Sequence, residues 1–385
     1  MRTDRDVVII GGGVQGLSLA YHLAKLKAGR LVVIDHGYPG GGASGRNGEM
    51  IRSAFASEAW IRFFDLSLRL WEDLSGELDY NVMFTRCGYL VLASTDRERE
   101  ICRENVTRQH QHGLRTVFLT GEDIARLVPA LEPRMAAGGV FQPDGGFAHH
   151  DAVVWAYLRA ARRLGIECRY FEEVVGIEVQ AGAVRAVLTT KDRYETRTVV
   201  NAAGGHAGRV AALAGVRLPS RTYRLEMIAT EPLKPFLRPM VASLNTLSYM
   251  HQTTRGEFVG GAETPDLAPS QSLRSSLSAT EDMATKFVRL FPGLAGVRLM
   301  RQWAGLVDMA PDVAPMLGPA PEVRGFFLDC GWVYGFAGAP ASGKLLAEYI
   351  VAGTPPPEVK PFTVQRFQTG RLLHDASLVV PSEAA

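Results

Sequence analysis

The chain has 385 residues, enough for one large or two ordinary domains with a well-buried core. Its 46% hydrophobic and 21% charged residues are ordinary for a soluble globular protein. Because 42 Lys and Arg stand against 40 Asp and Glu, the formal net charge is +2, which gives no electrostatic reason to expect nucleic acid or an anionic membrane as partner. No apolar run is long enough to cross a bilayer, so no membrane span is predicted.

The four cysteines are scattered along the chain and form no CxxC pair. They therefore predict neither a metal site nor a disulfide framework, and a reducing cytoplasm fits them best. The basic N-terminus precedes an apolar run, but Asp4 and Asp6 and the glycines that follow argue against a secretory signal. We expect a cytoplasmic protein.

The first 35 residues predict a strand, a glycine-rich turn, a helix and a second strand. Val7–Ile10 and Leu31–Ile34 are runs of apolar, mostly β-branched residues typical of buried parallel strands, and residues 17–26 have helical spacing. The turn between the first strand and the helix reads GGGVQG, a match to GxGxxG. The order of these elements predicts a nucleotide-binding unit.

Three glycines of this turn have a mechanical role. Gly11 permits the tight turn, Gly13 lets the backbone approach a pyrophosphate, and Gly16 allows close packing of helix and strand. The helix N-terminus offers N–H groups to phosphates, and Asp35 can accept hydrogen bonds from a ribose. These features predict an adenine dinucleotide site, although the motif alone does not distinguish FAD from NAD.

The following elements continue this pattern. Residues 36–52 form a glycine-rich loop that can lie against a planar ring, and residues 59–74 form an amphipathic helix whose aromatic face predicts core packing. Residues 98–111, 120–127 and 151–164 are predicted helices, and residues 88–94, 166–171, 174–179 and 198–203 are predicted strands.

The second half of the chain alternates apolar and polar residues over positions 218–261, which predicts a mostly antiparallel sheet. A helix over residues 280–291 follows. Residues 325–329 predict one more buried strand, followed by a glycine-rich turn over 330–343 and a helix over 344–351. This order predicts an α/β fold combined with α+β. A Rossmann-like domain (residues 1–86, 141–215 and 320–385) would be interleaved with a mostly antiparallel substrate domain (residues 87–140 and 216–319).

Six motifs together make the chain resemble the D-amino-acid oxidase-like FAD flavoproteins. Within that family it is similar to the β subunits of heterotetrameric sarcosine oxidase and of proline and opine dehydrogenases. The motifs are GGGVQGLSLAYHLA, GASGRNGEMIRS, GGFAHHDAVVWAY, RQWAGLVDMAPDVAPMLG, LDCGWVYGFAGAPASG and PFTVQRFQTGRL, and they extend over nearly the whole chain.

The resemblance implies that the dinucleotide is FAD, so that the Rossmann-like domain is an FAD-binding domain. It implies that Gly11, Gly13, Val14, Gln15, Gly16 and Asp35 hold the adenosine and pyrophosphate. The loop residues that it places along the pyrophosphate are Ala43, Ser44, Arg46, Asn47, Gly48 and Met50. It places the backbone of Val175 against the adenine, and Val333, Gly335 and Ala337 near the isoalloxazine ring.

The resemblance also implies a second flavin. In the heterotetrameric relatives, a histidine in this motif carries a covalently attached FMN, and His150 of AHHDAVVW occupies that position. From the residues alone, two histidines at a helix start would be capping or surface groups. The resemblance therefore implies FMN at His150, with a covalent bond and a simple contact both open. This FMN would be shared with a larger α subunit, and small additional subunits are a further expectation.

Two residues are candidates for contact with the substrate. Arg52 matches an arginine that helps to hold the substrate carboxylate in sarcosine-oxidising relatives, although an arginine in such a loop can equally pair with an internal acid. Tyr249 is a candidate on the second sheet, and its alternative is an ordinary strand tyrosine. Ala337 departs from the family, because those relatives have lysine there, in GFK. The loss of this cation puts sarcosine and fast direct reaction with oxygen in doubt and favours a bulkier amine such as an opine.

The predicted function is FAD-dependent oxidation of a secondary amine or N-substituted amino acid (opine-, proline- or sarcosine-like) by hydride transfer to flavin N5. The chain would be the catalytic β subunit of a multi-subunit dehydrogenase or oxidase acting on CH–NH bonds and passing electrons to FMN. Three alternatives remain: a stand-alone FAD amine or glycine oxidase, an NAD-dependent dehydrogenase, and a non-catalytic flavoprotein scaffold.

Overall fold

The computed structural model describes residues 2–263, 268–375 and 377. The predicted domain ranges also take in residues 1, 264–267, 376 and 378–385, which lie outside the described residues. The described α-helices are α1 Val14–Lys25, α2 Glu58–Glu77, α3 Asp96–Gln111, α4 Gly121–Leu127, α5 His150–Arg163, α6 Ala207–Leu213, α7 Leu277–Leu290, α8 Gly335–Ala352 and α9 Arg366–Thr369.

The described strands contribute to four sheets. They are β1 Arg2–Asp4, β2 Val7–Ile10, β3 Leu31–Ile34, β4 Met50–Ile51, β5 Thr85–Arg86, β6 Tyr89–Ala93, β7 Val117–Thr120, β8 Gly138–Gln142, β9 Gly146–Phe147, β10 Glu167–Arg169, β11 Val174–Gln180, β12 Ala183–Thr189, β13 Arg193–Glu195, β14 Val199–Asn201, β15 Arg221–Thr230, β16 Met240–Ser243, β17 Ser248–Gln252, β18 Phe258–Ala262, β19 Leu299–Met309, β20 Met316–Pro319 and β21 Phe326–Cys330.

A six-stranded sheet in the order β10-β3-β2-β14-β21-β20 forms the centre of the nucleotide-binding part. Its pairs are parallel except β20 with β21. Successive side chains of β2 point to opposite faces. Val7 and Ile9 pack against α1, α5 and α8, whereas Val8 and Ile10 pack with β11, β12 and α6. Both faces are thus covered, which explains why the strands read as continuous apolar runs.

The second large sheet has eight strands in the order β19-β15-β18-β17-β16-β6-β8-β7. Its described pairs are antiparallel except β16 with β6. Met250 and Phe258 on this sheet pack with Met283 and Phe287 of α7. The fold class predicted from the sequence is therefore confirmed, whereas the residue bounds of the two domains stay a prediction.

Residues 335–343 differ from their predicted structure. The sequence predicts a turn up to residue 343, but α8 begins at Gly335 and includes Pro340. Small residues let this helix lie directly on α1: a Cβ at Gly343 would come 2.2 Å from Ser18 Oγ and 2.7 Å from the Leu19 nitrogen. Tertiary packing therefore makes a helix of a stretch whose glycines and proline argue against one.

Among the described helices, none is long and apolar enough to span a membrane.

Candidate active site

A cavity of about 500 Å³ lies where the two large sheets meet. The carboxyl ends of β2, β3, β14 and β21 open onto it, and β15, β17 and β19 contribute residues to its wall. This volume is in the range of cofactor and substrate sites. In a sheet of this kind, ligands bind outside the carboxyl ends of the strands.

The glycine turn lies at one end of the cavity. Gly11 has a φ of +116°, and a Cβ there would come 2.2 Å from the carbonyl oxygen of Ala202, so only glycine fits. A Cβ at Gly13 would come 2.8 Å from Ser44 Oγ. Gly11 and Gly13 line the cavity, whereas Gly16 lies inside the turn, where a Cβ would meet the Gly11 carbonyl. The glycines thus let the turn pack closely on its neighbours beside the cavity, next to the N-terminus of α1, where a phosphate can bind.

Asp35 is held rigidly beside this turn. Its Oδ2 accepts a 2.7 Å hydrogen bond from the Gly12 N–H, and its Oδ1 accepts one of 2.7 Å from the Gly37 N–H. Val174 lines the cavity near this end, whereas the side chain of Val175 is 50% exposed and does not.

The loop after Asp35 follows the cavity wall and is fixed by its own hydrogen bonds. Ser44 Oγ accepts a bond of 3.0 Å from the Val14 N–H, and Asn47 donates one of 2.7 Å to the Ser44 carbonyl. Arg46 donates to the Gly41 carbonyl at 3.0 Å. The predicted site residues of this region that line the cavity are Val14, Gln15, Ala43, Ser44, Arg46, Asn47, Gly48 and Met50.

The turn before α8 and the first residues of α8 close another part of the cavity. Val333, Gly335 and Ala337 all line it. Gln15 donates a 2.8 Å hydrogen bond to the Gly335 carbonyl, which joins the two glycine-rich turns. The Ala337 carbonyl accepts bonds from Ser67 Oγ at 2.6 Å and Trp71 Nε1 at 2.9 Å. The backbone path at residue 337 is therefore fixed.

Arg52 is a buried cation surrounded by rings. Its side chain is 4% exposed, and its guanidinium carbon lies 4.1 Å from the ring centre of Phe55 and 4.9 Å from those of Tyr89 and Tyr334. Its guanidinium donates a hydrogen bond of 3.4 Å to the Ala54 carbonyl. No Asp or Glu among the described residues forms an ion pair with it, so the predicted alternative of an internal acid partner finds no support there.

Tyr249 lies on β17 and also lines the cavity. Its ring packs over Gly48, where a Cβ would come 2.7 Å from Tyr249 Cε2. Burial raises the pKa of Tyr249 to about 12. The phenol therefore stays protonated at neutral pH and can act as hydrogen-bond donor and acceptor.

His150 does not line the cavity, but Glu49 does, and Glu49 hydrogen-bonds to His150. The sequence analysis missed Glu49, although it stands inside the GASGRNGEMIRS motif. His251, which lies on the other side of Glu49, was also missed. Their proximity depends on contacts between positions far apart in the chain, which no local pattern shows.

Two buried carboxyl groups on the cavity wall were missed as well. Asp308 accepts a 2.8 Å hydrogen bond from the Gly331 N–H, and Asp329 accepts bonds from Trp332 Nε1 and Ser342 Oγ at 2.8 and 2.9 Å. Burial raises the pKa of each carboxyl to about 6. An acid at the end of a buried strand, as in GFFLD, is the signal that could have identified Asp329.

The fold and the cavity define a dinucleotide-dependent oxidoreductase of the flavin class. The chain belongs to the FAD-dependent oxidoreductase family, whose model matches residues 6–349. The predicted family and FAD dependence are thus confirmed, and the choice between FAD and NAD is decided for FAD. The glycine turn, Asp35 and the continuous cavity beyond them fit FAD.

Three known proteins are similar to this chain over most of its length. It is 33% identical over 377 residues to the sarcosine oxidase subunit beta of Rhodobacter capsulatus, covering 96% of this chain and 90% of that protein. It resembles the crystal structure of L-proline dehydrogenase from P. horikoshii with a TM-score of 0.92 and 29% identity, covering 97% of this chain and 100% of the other. Glycine oxidase from Geobacillus kaustophilus gives a TM-score of 0.86 at 24% identity, over 94% and 99% of the two chains, which shows the shared fold.

Proposed function

We propose that this chain oxidises a secondary amine that carries a carboxylate, such as an opine-, proline- or sarcosine-like N-substituted amino acid. When bound, FAD would supply the hydride acceptor: its N5 would receive the hydride that the carbon next to the nitrogen gives up. The observation that carries the proposal is Arg52, a buried cation on the wall of the FAD cavity with three rings around it and no described carboxylate paired to it. The relatives named sarcosine oxidase and L-proline dehydrogenase support it, since both names refer to amino acids with a secondary nitrogen.

Arg52 orients the substrate through its carboxylate. A charge buried without a counter-ion is costly, and an entering carboxylate relieves that cost through charge-assisted hydrogen bonds. The aromatic rings around the guanidinium restrict its movement, so the binding direction is set before the substrate arrives.

Tyr249 and the enclosure of the cavity act on the nitrogen. The protonated Tyr249 hydroxyl can hydrogen-bond to the substrate without adding a charge. Burial disfavours the charged form of an amine, so the cavity favours the neutral nitrogen that hydride loss from the neighbouring carbon needs.

Ala337 supports a substrate larger than sarcosine. The family pattern would put lysine at this point of the cavity, whereas the side chain here is a methyl group. Arg52 is thus left as the cation for the carboxylate, and the smaller side chain at residue 337 occupies less of the cavity than a lysine would. An opine or another N-substituted amino acid suits this arrangement better than sarcosine.

Anaerobic mixing with candidate amines tests the proposal. We expect carboxylated secondary amines to bleach the flavin absorbance of the FAD-loaded chain, and the matched amines without a carboxylate to do so far more slowly. A flavin that stays oxidised with the whole panel would contradict catalysis and leave the scaffold alternative.

We further propose that the chain is the β-type subunit of a cytoplasmic multi-subunit enzyme and passes its electrons to an FMN at His150, at the boundary with an α subunit. The AHHDAVVW match supports this, as does the name of the relative from R. capsulatus, a subunit beta. His150 is 22% exposed, so a flavin on a partner surface can reach it.

The flavin content of the complex, purified with the proteins that accompany it, tests this second proposal. After acid precipitation, we expect FAD in the supernatant, and FMN either free or as a mass adduct on the peptide that contains His150. FAD alone, from a chain that purifies without partners, would contradict the two-flavin complex and leave the stand-alone oxidase.

A further inference from the structure

Glu49 is a buried carboxylate between the FAD cavity and His150. It is 7% exposed and lines the cavity. Its Oε1 lies 2.6 Å from His150 Nδ1 and also accepts a 3.0 Å hydrogen bond from the His150 backbone N–H. Its Oε2 lies 3.5 Å from Nε2 of His251, which is 1% exposed. The Glu49 side chain thus lies on the cavity wall and contacts both His150 and His251.

The backbone adopts an unfavourable conformation at Glu49. Its φ is +61°, in the left-handed region that is sterically unfavourable for a non-glycine residue. A hydrogen bond of 2.7 Å from the Glu49 N–H to Asn47 Oδ1 holds this conformation, and the Glu49 carbonyl accepts a bond of 3.3 Å from the Ala148 N–H. Strain of this kind at a non-glycine residue points to a side chain whose direction matters.

We propose that Glu49 is a positioning residue for His150. It accepts a hydrogen bond from the Nδ1–H group, fixes the plane of the ring, and leaves Nε2 as the nitrogen offered to the FMN. The inference rests on the proposed function, because it takes His150 to be the residue that meets FMN. An acceptor on one ring nitrogen determines which tautomer the imidazole adopts and makes the other nitrogen more basic.

The charges around His150 agree with this role. Burial alone would lower the pKa of His150, but the hydrogen bond and charge of Glu49, with Asp151, raise it above its ordinary value in spite of Arg301. Burial alone would raise the pKa of Glu49, but its contacts with His150 and His251 hold it well below the usual range. Glu49 is thus a carboxylate throughout the neutral range.

The other groups close to His150 do not compete for Nδ1. Asp151 Oδ1 lies 3.5 Å from the opposite nitrogen, Nε2, and its side chain is mostly exposed. The ring of His149 stacks on His150 at 5.1 Å between centres and 17° between planes. Stacking limits the tilt of the ring but does not choose its tautomer.

Nitrogen NMR of the FAD-loaded chain with ¹⁵N-labelled histidine tests Glu49 without FMN. The resonances of His150 are assigned by their loss in His150→Gln. We expect the wild-type ring to carry its proton on Nδ1 when neutral. In Glu49→Gln, which removes the charge but keeps an acceptor oxygen, we expect a lower pKa of His150. In Glu49→Leu, which also removes the acceptor, we expect the loss of this single tautomer. Asp151→Asn is the matched control, because it removes a carboxylate on the Nε2 side and should leave the tautomer unchanged.

Two results would overturn the role of Glu49. One is a wild-type His150 protonated on Nε2 when neutral, which needs no variant and stands even if the Glu49 variants fail to fold. The other is a folded Glu49→Leu chain, with normal FAD content, whose His150 has the pKa and the tautomer of the wild type.

The flavin content of the complex separates this inference from the proposed function. If the wild-type complex contains FMN, we expect Glu49→Gln to lose most of it, or to lose the adduct on the His150 peptide, while FAD stays. Equal FMN in both would overturn the positioning role. A wild-type complex without FMN would overturn the two-flavin proposal, and the NMR measurement would still decide whether Glu49 holds His150.

Discussion

Arg52 shows how a single residue can indicate a ligand. A guanidinium over an aromatic ring gains about 0.5–2 kcal/mol, which is less than the cost of removing an ion from water. Phe55, Tyr89 and Tyr334 therefore hold the cation in place without neutralising it. In the proposed function, the carboxylate of the substrate supplies the missing charge.

Asp329 gives a prediction on pH and stability. Burial raises its pKa to about 6, whereas an aspartate in an unfolded chain titrates near 3.9. Between about pH 4 and 6 the folded chain thus binds more protons at this group than the unfolded chain does. Its contribution to stability falls as the pH rises through that window, by about 3 kcal/mol for a shift of about 2 units.

Asp329→Asn removes this penalty above pH 6. We therefore expect the free energy of unfolding of the variant, relative to wild type, to improve from pH 4 to pH 7, as measured by urea unfolding with saturating FAD. Asp96→Asn is a control, because the side chain of Asp96 is 95% exposed. If the free energy of unfolding of Asp329→Asn falls relative to wild type over the same interval, the raised pKa of Asp329 is contradicted.

At the scale of elements, local pattern predicted most of the strands and the glycine turn that border the cavity. The strands Val7–Ile10 and Leu31–Ile34 have the predicted bounds, because apolar β-branched runs identify buried parallel strands. The start of α8 was missed because its first nine residues have poor helix propensity, and the helix depends on packing against α1. Propensity cannot show a contact with an element more than 300 residues away.

Gly343 tests that packing. We expect Gly343→Ala to lower the free energy of unfolding by about 1–3 kcal/mol and to weaken FAD binding, because the new methyl group would overlap the backbone of Ser18 and Leu19. Thermal unfolding and FAD titration measure both effects. Gly208→Ala in α6 is the matched control, since a Cβ there meets nothing within 4 Å, and it should be neutral or stabilising. Equal effects of the two substitutions would rule out close packing as the cause.

The C-terminal segment holds the residues that lead into α2. The Asp375 carboxylate accepts hydrogen bonds from the N–H groups of Ala56 and Ser57, at 2.9 and 2.7 Å, immediately before that helix begins. Phe55, whose ring contacts Arg52, stands next to them. The tail thus fixes both the helix start and one side of the Arg52 site.

We expect Asp375→Ala to lower the free energy of unfolding by about 1–3 kcal/mol, because the N–H groups of Ala56 and Ser57 lose a charged acceptor, and to raise KM for the substrate. Asp375→Asn, which keeps an acceptor oxygen, should recover part of both losses. Urea unfolding and steady-state kinetics make the comparison. Unchanged stability in Asp375→Ala would show that the tail does not hold α2.

At the scale of the whole molecule, the site exists only where the two large sheets meet. Arg52 follows the loop that leaves the six-stranded sheet, while Tyr249 comes from the eight-stranded sheet. The resemblance to known flavoproteins could assign residues to this site one by one. It could not show that Glu49 stands between His150 and His251, because that contact joins three distant parts of the chain.

The most direct test of the account compares two substrates in two proteins. A secondary amine with a carboxylate and its matched amine without one are each mixed anaerobically with wild type and with Arg52→Gln, and the rate of flavin reduction is measured against concentration. We expect wild type to prefer the carboxylated amine by about 30-fold or more, corresponding to about 2 kcal/mol or more for a buried charge pair. We expect Arg52→Gln, with normal FAD content, to lose most of that preference, and Arg52→Lys to keep part of it. A preference that survives in Arg52→Gln would show that the carboxylate binds elsewhere and would contradict the account.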